Sequence, residues 1–140
     1  MAYAGFHHSR LEVDVKFQPK DPPRRFAVGN QVKFDMKDCG TLALDADEQL
    51  TLVTEAGAEY DVARKDWGFY ATPSLNGRLE QFGLRGVLIK NRGTGRYFVL
   101  LVERGKEPLF DAYCEQENLA VITWLDNTGV LDTLAERLKS

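Results

Sequence analysis

Apolar and polar positions alternate from the first ordered-looking stretch onward. Leu11, Val13, Val15 and Phe17 fall on one face, with Glu12, Asp14 and Lys16 on the other, the period of a half-buried strand. Residues 19–25, PKDPPRR, hold three of the five prolines and predict a loop or extended connector. Alternation resumes with Val32, Phe34 and Met36 against Lys33, Asp35 and Lys37, and the Cys39-Gly40 step leads into a third short strand around Thr41 to Leu44. Leu50 and Leu52, then Tyr60 and Val62, read as a hairpin whose Gly57 supplies the turn.

The pattern changes in the second half. Val87 to Ile89 and Tyr97 to Val102 are nearly unbroken apolar runs, the signature of strands covered on both faces, with NRGTGR as the turn between them. Glu107-Pro108 predicts the start of a helix carrying Leu109, Phe110 and Tyr113 and ending at Asn118. Another apolar strand, Leu119 to Leu125, follows. Asp126, Asn127 or Thr128 then caps a last helix with Leu131, Leu134 and Leu138 spaced by three and four. The expected fold is therefore α+β, a mostly antiparallel sheet with two short C-terminal helices. The unit from Tyr97 to Leu125 pairs in parallel through a crossover in one version, and a partly closed barrel is the alternative. The 140 residues fit one domain, with residues 1–9 expected to be a mobile terminus.

Composition changes this picture little: 44% hydrophobic and 28% charged residues are ordinary globular values. No apolar run reaches the roughly 18–20 residues of a membrane helix, and the start, MAYAGFHHSR, lacks a secretory apolar core, so a cytoplasmic chain without membrane contact is expected. Cys39 and Cys114 are far apart and predict two buried free thiols.

Charge is arranged in blocks. The net of -3 conceals +3 over residues 1–34, -7 over 35–61, +5 over 76–106 and -5 over 107–126. An acidic total argues against binding nucleic acid through its phosphates. The basic block is read as hairpin edges pairing with the acidic ones.

Candidate chemistry is sparse. There is no GxSxG elbow, phosphate loop, HExxH or zinc-spaced cysteine pair, so no catalytic residue, metal site or cofactor is assigned. His7 and His8, the sole histidines, are adjacent and point to opposite faces of an extended chain. The glycines of RGTGR open no helix and read as turn chemistry. Asp45, Asp47 and Glu48 lack the spacing of a calcium loop.

The unusual stretch is residues 65–83, KDWGFYATPSLNGRLEQFG, with four of the fifteen aromatics in nineteen positions. Alternation sets Trp67 and Phe69 on one strand face, expected to fill the core, and leaves Tyr70 on the other. Ser74, Asn76 and Arg78 add hydrogen-bonding groups around a turn. Trp67, Tyr70, Ser74, Asn76 and Arg78 are thus the candidate binding residues for a small polar ligand such as a sugar or sugar-nucleotide. The competing expectation is a homodimeric interaction module, in which aromatic and arginine side chains meet a second copy. A weaker alternative is a carbohydrate-active enzyme working through Asp61, Asp66 or Glu80.

Overall fold

The computed structural model describes residues 16–29 and 33–139. The expectations for Leu11, Val13, Val15, the two histidines, the mobile terminus and Val32 lie outside the described residues. In chain order the elements are β1 (Lys16–Val28), β2 (Phe34–Ala43), β3 (Gln49–Val53), β4 (Glu59–Lys65), β5 (Gly68–Ala71), a one-turn helix α1 (Arg78–Gln81), β6 (Leu84–Asn91), β7 (Tyr97–Glu103), α2 (Glu107–Glu117), β8 (Leu119–Trp124) and α3 (Thr128–Arg137). Among the described residues the strands form three small antiparallel sheets, ordered β1-β2, β3-β4-β5 and β7-β6-β8, and none closes into a barrel.

The proline-rich stretch is not a connector. It lies inside β1, where Pro19 faces Gly40 and Arg24 faces Asp38, so Lys20 to Pro23 bulge opposite Cys39. A bulged segment leaves ladder hydrogen bonds unmade, which is why prolines are tolerated there. Nor does Cys39-Gly40 divide two strands, because β2 runs straight through it. Gly40 is required at that point: a side chain would meet the Gln18 carbonyl at 2.5 Å and the Phe17 ring at 2.8 Å. The opposed pairs Phe17/Leu42, Phe26/Met36 and Val28/Phe34 place the apolar residues of this ribbon on one face. Most of them remain exposed. Phe34 leans on α2, its ring 6.3 Å from that of Tyr113.

Two small cores hold the rest. Val87, Ile89, Val102, Phe110, Cys114 and Leu119 form the larger, with α2 laid across the β7-β6-β8 sheet and Leu100 and Trp124 against it. Ala58, Leu79 and Leu84 form the smaller, joined by Tyr60 and Leu75. The hairpin at Gly57 is as the sequence predicts, with φ at 97°. The last helix is capped by Asn127, whose side chain accepts from the Val130 N–H at 3.1 Å. Asn118 ends α2 in the left-handed conformation.

The crossover expectation is met in direction only. β7 and β8 both run antiparallel to β6 and hence parallel to each other, but β6 lies between them. The expectation that β7 is covered on both faces is overturned. α2 covers the side bearing Leu100 and Val102, while Tyr97 and Val99 on the opposite side are 56% and 59% exposed. Among the described residues no helix is long and apolar enough to cross a membrane.

Candidate functional site

The suspect stretch is built on the β3-β4-β5 sheet. Thr51 faces Asp61 across β3 and β4, and Tyr70 faces Ala63 across β4 and β5. The Thr72 N–H donates to the Asp61 carbonyl at 3.1 Å, which carries the β5 ladder one residue further. Alternation therefore puts Thr51, Asp61, Tyr70 and Thr72 on one sheet face.

Asp61 is the hub of this face. Its side chain is only 12% exposed. Oδ1 accepts from the Thr51 hydroxyl at 2.6 Å, and Oδ2 lies 3.4 Å from Nη2 of Arg78. That same nitrogen donates to the Thr72 hydroxyl at 3.2 Å, and the guanidinium stands 5.2 Å from the Phe82 ring centroid. A buried carboxylate without such partners would be costly, so the cluster first of all satisfies itself.

Of the five sequence-predicted site residues, two fall on the Asp61 face, Tyr70 by strand register alone. Tyr70 and Arg78 serve the Asp61 face, Tyr70 exposed and Arg78 committed to Asp61 and Thr72. Ser74 is used locally: its hydroxyl accepts from the Arg78 N–H at 2.8 Å and starts α1. That helix, whose Leu79 is fully buried, replaces the plain loop expected here. Asn76 reaches away, donating to the Thr128 hydroxyl at the start of α3 at 3.1 Å. Trp67 sits at the β4-β5 turn and is 71% exposed, and Phe69 is exposed on β5, so neither fills the core as alternation suggested. Among the described residues the core on this sheet lies at its other end, around Ala58 and Tyr60.

The principal cavities lie elsewhere, and apolar residues dominate two of them. One cleft of about 300 Å³ runs between the end of β7 and α2, lined by Leu101, Val102, Leu109, Phe110 and Tyr113 among others. A second of about 190 Å³ lies on the other side of β7, lined by Leu52, Val53, Tyr60, Leu84 and Leu101. The sequence signal for this surface was present in the continuous apolar run Tyr97 to Val102, which has more apolar side chains than one covered face needs.

A third cluster ties the C-terminal elements. Arg85 on β6 contacts Asp126, Glu107 and the Trp124 ring together. Its hydrogen bonds hold the Asp126 carboxyl below the ordinary carboxylate range and raise its own affinity for the proton. Glu107 is lowered too, first by its own backbone N–H.

The chain matches no protein-family model, no curated protein and no solved structure.

Proposed function

We propose that this protein is an interaction module that works as a homodimer. The observation that supports this reading is the apolar run of β7, where Tyr97 and Val99 on one side and Phe98 on the other are each about half exposed among the described residues. An antiparallel sheet with one solvated face normally turns polar residues to the water. Contiguous exposed apolar surface on a small domain is the mark of an interface. Light scattering or sedimentation at tens of micromolar is the test. The expected mass is twice the 15.8 kDa of the chain, and a strictly monomeric particle overturns the reading.

A small-ligand role is the second reading, favoured by exposed Tyr70 standing on the same sheet face as the Asp61-Arg78 cluster. It predicts a thermal shift with a sugar or sugar-nucleotide that Arg78→Ala abolishes.

A further inference from the structure

We infer that a cavity between the C-terminal end of α2 and the β6-β7 pair is a small-molecule site, selective for a primary ammonium carried on an apolar body. It does not rest on the homodimer reading above. The cavity holds about 300 Å³, the lower end of the range in which ligand sites occur. Among the described residues its floor is Ile89 on β6, Phe98 and Leu100 on β7 and Leu119 on β8, and Gly29, next after β1, lines one side. Register explains the shared floor. Phe98 opposes Ile89 and Leu119 opposes Asn91, so alternate residues of three strands point the same way.

Few polar groups reach this apolar space. Asn91 lines it, but its side-chain oxygen is taken up at the turn, accepting from the N–H groups of Gly93 and Thr94 at 2.9 and 3.1 Å. The other two come from α2. Tyr113 and Glu117 are four residues apart, so they share a helix face one turn from each other. Glu117 is 4% exposed. A carboxylate only accepts, and a tyrosine hydroxyl can accept as well, so the pair suits a group with several N–H donors. The two carboxylate oxygens take up to about four hydrogen bonds, so the site does not need Glu117 to be otherwise unbonded.

Charge selects the class of ligand. Glu117 is the last residue of α2, where the exposed carbonyl end of the helix dipole is negative. The two fields add, and an apolar enclosure strengthens both. Neither lysine nor arginine is among the lining residues. Lys90 opposes Tyr97 on the other side of the sheet and stands over its ring, and Arg92 reaches the Leu119 carbonyl at 3.5 Å. An anion would be repelled here, and a neutral molecule would gain nothing from the charge. The rings of Phe98 and Tyr113, each roughly half exposed, add aromatic surface that favours a cation on an apolar frame.

The experiment titrates the full chain with phenethylamine, phenethyl alcohol and hydrocinnamate, probes of like shape and different charge, and follows backbone amide shifts by NMR. The amine should bind about tenfold more tightly than the alcohol, and the carboxylate not measurably. Shifts should centre on Asn91, Phe98 to Leu100 and Tyr113 to Leu119. Glu117→Gln should bring the amine down to the alcohol's affinity, while Phe98→Ala, at a half-exposed position, should weaken both. Equal affinity for amine and alcohol, an amine affinity unchanged in Glu117→Gln, shifts centred elsewhere, or no shift at millimolar amine overturns the proposal. Should Glu117→Gln fail to fold, the ranking of the three probes and the shift map on the wild type decide. Light scattering on the same samples separates this outcome from the homodimer reading, because a monomer that binds the amine overturns that reading alone.

Discussion

Arg85 grips Asp126 with two nitrogens, Nε at 2.6 Å from Oδ2 and Nη2 at 3.3 Å from Oδ1. The same guanidinium lies 4.0 Å from the Trp124 ring centroid, and Trp124 in turn meets Phe110 edge-on at 5.7 Å. One side chain on β6 thus fixes the end of β8, the turn into α3 and, through Glu107, the start of α2. The planar fork of arginine suits this bidentate, stacked geometry, and lysine would not reproduce it.

Acid should therefore loosen the C-terminal half. The Asp126 carboxyl is held below its ordinary range by Arg85, and a carboxyl depressed in the folded state contributes stability above its unfolded pKa, near about 4. That contribution is lost as pH falls through the lower, folded value. Thermal melts from pH 7 downward should show a decline below about pH 4 that is shallower in Asp126→Asn. At neutral pH the same variant should be less stable by about 1–2 kcal/mol, since a partly buried Arg85 loses its charged acceptor. Equal acid sensitivity in the variant and the wild type would show that other carboxylates control the transition.

The Asp61 face separates structural from expendable residues of the suspect stretch. Asp61→Ala removes the acceptor for Thr51 and Arg78 from a nearly enclosed position and should cost about 1–3 kcal/mol. Arg78→Ala should cost less than about 1 kcal/mol, because its side chain is half exposed. Trp67→Ala should fall within about 0.5 kcal/mol of the wild type, having no core to leave. Chemical denaturation of the three variants checks the order. A large loss for Trp67→Ala in dilute solution would mean that its ring is buried against something, and the exposed turn would be the wrong description.

How far the sequence could be read depended on whether the information was local. Gly57, Asn118 and Asn127 act through their own backbone neighbourhoods, and the turn and helix boundaries they mark were legible. Leu119 to Trp124 was legible as a strand from its unbroken apolar run. The prolines of β1 misled because a bulge satisfies the same residue preferences as a loop, and only pairing with β2 tells them apart. The exposure of Trp67 and Phe69 was not legible, because alternation gives a face but not what lies over it. Asp61 was visible only as an acid near the suspect loop. Its role depends on Thr51, Thr72 and Arg78 meeting across three strands and a helix, separations that no local pattern encodes.

The two thiols should behave as different chemical species. Both are free, but Cys39 is exposed on the polar side of the β1-β2 ribbon, against the sequence expectation that both are buried, and its same-face neighbours Asp35, Lys37 and Thr41 are exposed with it. Cys114 lies in the core under α2, and burial, with Asp111 adding to it, pushes its thiol above the ordinary value. Thiolate is the reacting form, so a raised pKa and a closed environment both slow Cys114. An aromatic disulfide reagent at pH 8 should consume one thiol quickly and the second only on a slow phase that denaturant abolishes. Cys39→Ser should remove the fast phase alone. Two equal fast phases in the native protein would place Cys114 in reach of solvent, which is incompatible with the core built from Val87, Ile89, Phe110 and Leu119.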